Sequence, residues 1–324
     1  MIVVDANHLA YRILFANTRG LVDGGWSYFR HLYLNSILST AKKFNDGKII
    51  IAFDNKSWRK MIYSEYKAGR EETRKANKDV DFQEFFAFFD EFKEELRSFL
   101  PLITISIKYA EADDIVAALA RNWKDDKFRF PGEEMIVMSS DKDLQQVKRF
   151  DPTIRVWDPI KKSFMKEDIT LAEAERDFHM KVMLGDKSDN IPGVQKGVGP
   201  ANAVKILNLP KEEREAWFTD DPERLKRWGK GVKLMSFKKI PDAIMDTAIK
   251  RYNRELGNQF DEHLTEGRVD VMNLTSKAEG YCREMGLKNL EDRIAYLIDA
   301  YSTSMRRTYI HALQEKNIGS GNKI

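Results

Sequence analysis

One cysteine, Cys282, stands in the whole 324-residue chain. A single thiol cannot close an internal disulfide or build a multi-cysteine zinc site, which excludes a disulfide-stapled secreted scaffold and a zinc finger. Long apolar runs are lacking too. The most apolar stretch, Ile49-Ile50-Ile51-Ala52-Phe53, falls far short of the roughly 20 residues that a bilayer span needs, so no membrane partner is expected. Met1 to Asp5 show no basic segment leading into an apolar one, and no secretory signal is read there. Nor does one sign of charge dominate. Lys and Arg number 54 against 51 Asp and Glu, and the resulting +3 argues neither for nor against a nucleic-acid partner. No long internal repeat or low-complexity tract interrupts the chain. What is present is 42% hydrophobic and 32% charged residues, over a length suited to about two domains. That is the makeup of a folded, reduced, cytoplasmic protein.

Three short apolar runs each lead to an aspartate: Ile2 to Val4 before Asp5, Ile49 to Phe53 before Asp54, and Met135 to Met138 before Ser139-Ser140-Asp141. Unbroken β-branched runs read as strands buried on both faces, as in a parallel sheet. Helix-like stretches lie between them, Tyr28 to Phe44 and Glu111 to Trp123, so the pattern predicts an α/β fold with a mainly parallel central sheet flanked by helices. Ligands of such sheets sit beyond the carboxyl ends of the strands, where all three aspartates would converge. The plainer reading of each is a cap on the following helix. After about residue 170 no strand-like run recurs. Leu171 to Leu184, Glu212 to Trp217, Ile240 to Leu256 and Leu290 to Glu315 look helical, and Ile318 to Ile324 reads as a frayed tail. The expected division is an α/β half, 1–170, and a helical half, 171–324.

Further carboxylates cluster. Glu111, Asp113 and Asp114 open a predicted helix, Asp141 and Asp143 follow the third strand, and Asp186 and Asp189 sit in a loop. With Asp5 and Asp54 this makes nine acids in five places. Gathered together they would raise one another's pKa unless cations shared the site. Oxygen-only donors suit Mg²⁺ or Mn²⁺, and two such ions about 4 Å apart can activate a water and stabilise both oxygens of a phosphodiester cleavage. Each acidic pair alone is more simply a solvated surface. A phosphatase with an aspartyl nucleophile would need Asp-x-Asp, and the first strand ends Asp5-Ala6-Asn7.

Between Lys56 and Lys78 eight basic residues face three acidic ones, +5 in 23 residues. Arg59 and Lys67 are eight apart, a spacing that puts both on one side of a helix beside Asp54. With Lys60, Arg70 and the interleaved Tyr66 they suggest a phosphate-steering wall, though a merely solvated helix would explain the charge alone. The second nucleic-acid signal is Lys196-Gly197-Val198-Gly199 before the helix-like Pro200 to Leu207, a turn whose glycines allow close backbone approach to a phosphate. Pro200 suits the first helical position.

These residues resemble the flap endonuclease and 5′-nuclease family, in particular its T-even phage ribonuclease H branch. The pieces that carry the likeness are Val4-Asp5, Phe53-Asp54, Trp58-Arg59 with Tyr66-Lys67, Tyr109 to Asp114, Ser139 to Asp143 and Gly185 to Val194, in family order. The resemblance implies a PIN-like nuclease core with a helical arch at about 56–96 and a helix-three-turn-helix element at about 183–208. It implies a 5′–3′ exonuclease and flap endonuclease with ribonuclease H activity, removing RNA primers and adjacent DNA in lagging-strand replication. Asp5, Asp54, Glu111, Asp113, Asp141 and Asp143 would form the tighter metal cluster, and Asp114, Asp186 and Asp189 the second. Arg59, Lys67, Asp141 and Asp143 are the expected catalytic residues. A K⁺ ion would accompany the helix-three-turn-helix element. Partners implied are DNA and RNA–DNA hybrids with 5′ ends, flaps or nicks, a single-strand DNA-binding protein and a sliding clamp, met by a monomer in the host cytoplasm. The phage branch can carry an N-terminal extension that engages the clamp, and this chain begins almost at its first strand. Any clamp contact is therefore expected elsewhere, and the stretch after Leu290 is expected to serve packing or a partner. Two other classes compete: a catalytically silent flap-binding protein, which should lack some of the carboxylates, and a small metal-dependent ribonuclease, which should lack the segment from Gly185 to Ala203.

Overall fold

Each apolar run that ends in an acid becomes a strand. The computed structural model describes residues 1–76, 80–126 and 128–321, and contains a six-stranded sheet of β1 (Ile2–Asp5), β2 (Ile49–Phe53), β3 (Ile103–Ser106), β4 (Ile136–Met138), β5 (Arg155–Asp158) and β6 (Ser163–Phe164). The order is β3-β2-β1-β4-β5-β6, all neighbours parallel except β5 and β6. Register is direct: Val3 pairs with Ile50 and with Val137. Successive side chains leave opposite faces, so Ile2 and Val4 enter one hydrophobic cluster and Val3 another, which is why β1 is apolar throughout. Because β2 and β4 flank β1, the strand order reverses there, and the crevice beyond Asp5 and Met138 is the place where such sheets bind ligands.

Helices cover both faces. In chain order they are α1 (Ala6–Ala16), α2 (Thr18–Phe44, kinked at Gly25), α3 (Arg59–Ile62), α4 (Gly69–Ala76), α5 (Phe82–Phe99), α6 (Ala112–Asn122), α7 (Leu171–Leu184), α8 (Pro200–Leu207), α9 (Lys211–Thr219), α10 (Pro222–Met235), α11 (Asp242–His263), α12 (Val271–Glu284) and α13 (Glu291–Gly321). The expected arch segment is thus three helices, and they differ in kind. On α5, Phe85, Phe88, Phe89, Phe92 and Leu96 are buried in the sheet's core, while Asp90 and Lys93 of the same helix join residues of α3 and α4 around the cleft at the strand ends. Lys78 of the basic segment and arch residues 77–79 lie outside the described residues.

The second half is mainly helical as expected, with two short hairpins added, β7 (Gly185–Asp186) with β8 (Ile191–Pro192), and β9 (Leu264–Thr265) with β10 (Arg268–Val269). Its first part has its own core, where Phe178, Val182, Met183, Ile191, Ala203, Phe218 and Leu234 surround Tyr66 from the first half. The later helices pack on the sheet layer instead: Met245, Ala248 and Tyr252 of α11 join one cluster, and Ile294, Leu297, Ile298 and Tyr301 of α13 the other. The stretch after Leu290 is therefore a packing element. The frayed tail is corrected as well: α13 continues through residue 321, while 322–324 lie outside the described residues. Among the described residues no helix is long and apolar enough to cross a membrane.

Candidate active site

The carboxylates at the strand ends are caps and neighbours at once. Asp5 accepts the His8 N–H at 3.0 Å to begin α1, and Asp141 accepts that of Asp143 at 2.8 Å to begin a 3₁₀ turn. Asp54 reaches across to accept the Ala112 N–H at 2.8 Å, where α6 begins. Glu111 and Asp114 close a reciprocal box around that same start, the Asp114 carboxylate accepting the Glu111 N–H at 2.9 Å. Asp186 accepts from Ser188 N–H at 2.8 Å and Asp189 N–H at 3.2 Å. The capping that would explain each acid singly is the device that aims them at one edge.

Their charges feel one another. Burial, then Asp54 and Asp141, push the Asp5 carboxyl up to about 8. Asp113 is raised well above the carboxylate range by burial and Glu111, and Asp54 is raised first by desolvation in the cleft. Asp143 is raised by burial and, against the pull of Lys181, by Asp141 and Asp186. The edge thus carries more negative charge than its own cations neutralise. Among the described residues no three His, Cys, Asp or Glu side chains already close round one point as an ion cage. The donors are nonetheless carboxylate oxygens throughout, the chemistry that hard divalent cations prefer.

Glu111 is the hub of the basic segment. Arg59 Nη1 donates to its Oε2 at 2.8 Å, and Lys67 Nζ pairs with its Oε1. Burial alone would raise Glu111, but Lys67 and Arg59, joined by the Ser57 hydroxyl, hold it down to about 2. The two cations do not share a helix, as their spacing suggested. The helix ends at Ile62, and Lys67 sits in a left-handed turn (φ 58°) with its N–H donating to Asp189 O at 3.0 Å. Three expected roles change in consequence. Arg59 is 2% exposed and engaged by Glu111, Asp114 and the Leu234 carbonyl, so it faces no strand. Tyr66 is buried too, its hydroxyl 3.1 Å from the Glu111 and the Asp189 carboxylates, between which it shares its one proton. Asp114 has no exposed surface and is engaged by Arg59 at 2.9 Å, so as a second-cluster ligand it would have to share its carboxylate with that guanidinium.

One cation escaped the sequence reading. Lys181 of α7 pairs with Asp143 and lies 2.9 Å from Asp186, and these partners hold its pKa up against the effect of burial. Asp186 falls in turn to about 2, where Lys181 and Ser188 outweigh burial. A lone lysine on an amphipathic helix reads as solvated; its only signal is its place one turn before the Gly185 hairpin that folds Asp186 back. That fold-back needs glycine, because a Cβ on Gly185 (φ 73°) would lie 2.3 Å from the Gly193 nitrogen. The other candidates stay open to solvent. Lys60, Arg70, Lys196 and Gly197 are exposed and Val198 and Gly199 half-buried, and a Cβ at Gly197 or Gly199 would meet nothing within 4 Å. Arg70 is held by Asp189 at 2.7 Å. Over Asp54, Lys67 and Glu111 opens a cleft of about 1010 Å³, walled by Lys56, Lys60, Arg70 and Lys93.

The chain has relatives of this shape. It is 28% identical over 269 residues to the ribonuclease H of Enterobacteria phage T4, covering 78% of this chain and 85% of that protein. It is 33% identical over 215 residues to the thermostable DNA polymerase I of Thermus aquaticus, covering 64% of this chain but 23% of the polymerase. Its fold matches the T5 D15 protein co-crystallized with metal ions, at a TM-score of 0.58 and 17% identity over 78% of this chain and 98% of that one. A T5 D15 flap endonuclease in a pseudo-enzyme-product complex with DNA and metal ions gives a TM-score of 0.57 at 18% identity over the same shares. Residues 1–179 match the family model described as the 5′-3′ exonuclease N-terminal resolvase-like domain, and with its carboxylates on the edge where such a sheet binds ligands, the chain belongs to the 5′–3′ exonuclease family as a 5′-nuclease.

Proposed function

We propose that the protein is a divalent-metal-dependent 5′–3′ exonuclease and flap endonuclease that removes RNA primers and adjoining DNA from 5′ ends in lagging-strand replication. The observation that carries this reading is the convergence of carboxylates on the strand ends, where Asp54 and Asp141 come near enough to add to the effect of burial on Asp5, beside a cleft in which lysine and arginine outnumber Glu71 and Asp90. Asp5, Asp54, Glu111, Asp113, Asp141 and Asp143 would hold one Mg²⁺ or Mn²⁺, and Asp143, Asp186 and Asp189 a second. Bound there, the ions supply a nucleophilic water and neutralise charge on the phosphate. Asp141 and Asp143 serve catalysis as ligands. Lys67, 17% exposed on the cleft floor, offers its ammonium to the scissile phosphate, while buried Arg59 acts through Glu111 as a positioning residue.

Lys56, Lys60, Arg70 and Lys93 then steer an unpaired 5′ strand by its backbone, without reading sequence. Lys196, Val198 and the open Gly197 and Gly199 suit contact with one strand of the duplex behind the cut. In this reading 183–208 is a helix-three-turn-helix grip with a K⁺ ion, and of the two domains 1–170 supplies most of the metal ligands while 171–324 supplies the grip together with Asp186 and Asp189. The name of the T4 ribonuclease H relative favours RNA–DNA hybrids among the substrates. The same reading has a monomeric enzyme in the host cytoplasm, with a single-strand DNA-binding protein and a sliding clamp as its partners.

A 5′-labelled flap, a nicked duplex and an RNA–DNA hybrid, each incubated with Mg²⁺ and with chelator, test the proposal. Short 5′ products from all three in Mg²⁺ alone are expected. Intact substrates in both Mg²⁺ and Mn²⁺ would leave a flap-binding protein.

A further inference from the structure

Helix α4 stands between two hollows. One is the cleft over Asp54, Lys67 and Glu111; the other, of about 670 Å³, contains no member of the carboxylate cluster. Arg70 and Arg74, one turn apart on α4, line both, as does Tyr11 of α1. A strand that leaves the carboxylate cleft past α4 therefore enters the second hollow along the same two guanidinium groups.

The walls of this second hollow differ in chemistry. Phe15 and Phe82 line it, together with Lys187 and Ser188 from the loop that carries Asp186 and Asp189. The rings form a ladder. Tyr11 and Phe15 lie 6.1 Å apart and within 13° of parallel, and Phe15 and Phe82 are 6.1 Å apart at 55°. Its lower rungs are anchored: Tyr11 packs on Phe85 and accepts a hydrogen bond from Arg74 at 3.2 Å, while Phe82 packs on Phe86. Phe15 is the uncovered rung, 50% exposed. A single exposed phenylalanine is ordinary on a protein surface. One stacked on a pinned tyrosine, inside a hollow with Arg70, Arg74 and Lys187 against Glu72, has the two components of a single-strand site: cations that follow a backbone and a π-face that accepts any base. Bases of a duplex have both faces covered by their neighbours. The ligand that fits is an unpaired nucleotide.

We infer that Phe15 is a stacking platform for one base of the unpaired 5′ strand, on the side of α4 away from the carboxylates. This rests on the proposed function, in which such a strand enters the cleft. The platform makes binding depend on a base at one position along the flap and indifferent to which base it is.

The test is a thermodynamic cycle. Binding is measured by fluorescence anisotropy in chelator, with flaps that carry one abasic site at successive positions. With the natural protein, removing the base at one position, or two adjacent ones, should weaken binding roughly tenfold, in the range of a lost base–aromatic stack. With Phe15→Leu, which keeps an apolar side chain but has no π-face, the same abasic sites should cost nothing. An equal penalty at every position, or a local penalty that persists in Phe15→Leu, overturns the inference. A measurement that needs no variant guards against misfolding of Phe15→Leu: 2-aminopurine at the sensitive position of the natural complex should lose fluorescence by stacking, and unchanged or brighter emission counts against the platform. Cleavage of the base-complete flap in Mg²⁺ is run in parallel. If that flap is cut but no position is special, this inference fails alone; if it is not cut, the proposed function fails with it.

Discussion

The ammonium of Lys181 lies 2.9 Å from Oδ2 of Asp186 while it also pairs with Asp143. A built-in monovalent cation thus holds two acids assigned above to the second metal. Lys181→Met should lower the stability of the metal-free protein by about 1–2 kcal/mol, between the values for exposed and buried pairs. It should also enlarge the rise in Tm on adding Mg²⁺, because the ion no longer displaces an ammonium. Thermal melts across a Mg²⁺ titration check this. Equal gains in both proteins would show that lysine and metal do not compete.

Arg59 and Asp114 meet through two contacts, at 2.9 and 3.1 Å, with Asp114 wholly out of solvent. Removing one member of a buried pair strands the other. Arg59→Met should cost about 3–5 kcal/mol in urea unfolding. A loss below 1 kcal/mol would mean that Asp114 finds another partner.

For the chemistry, Asp141→Ala is expected to abolish cleavage in Mg²⁺ while leaving flap binding largely intact, and full activity would remove the two-metal argument. Lys67→Ala should slow single-turnover cleavage by on the order of 10²-fold or more, as when a preorganised charge donor is lost. Weaker binding at an unchanged rate would reduce Lys67 to a phosphate contact.

Protonation supplies a fourth prediction. Without metal, Asp5 keeps its proton to about pH 8, against an ordinary 3.8. Between those values the native state binds the extra proton, so stability falls as pH rises. Glu111 acts in the opposite sense: held at about 2, it contributes stability that is present above 4.5 and lost as pH falls through 2. Mg²⁺ binding at pH 7 should accordingly release protons, from Asp5 and with it from the raised Asp113. Calorimetry in buffers of different ionisation enthalpy measures the release, and a heat independent of buffer would show Asp5 and Asp113 already charged.

The middle of the sheet was legible because β1, β2 and β4 are buried on both faces and spell that burial in β-branched residues. Its flanks were not. Ile103-Thr104-Ile105-Ser106 is an edge strand that alternates, and β5 opens on Arg155 and pairs on one side with only two residues of β6. Helix α10 was hidden by Gly229 and Gly231, yet Gly231 lets α10 lie close on α7, since a Cβ there would come within 3.0 Å of Val182 Cγ1. At the site, the acids could be read from their strand ends. Composition does not say which way a charge faces, so Arg59 and Asp114, buried against each other, and Lys181, folded in from α7, were beyond it.

The backbone turn at Lys67 has a wider effect. Its N–H bonds Asp189 O, Tyr63 Oη bonds Asn190 O at 3.0 Å, and Asn190 Nδ2 returns to Glu65 O at 2.9 Å. With Tyr66 and Arg70 also on Asp189, the base of the phosphate wall is stitched to the loop that leads into Gly197 and Gly199. The molecule behaves in this respect as a caliper with its jaws locked. Under the proposed function, a duplex held at the far jaw would leave the bond offered to Lys67 a constant number of nucleotides away, and loosening the stitches would blur the length of the fragment released.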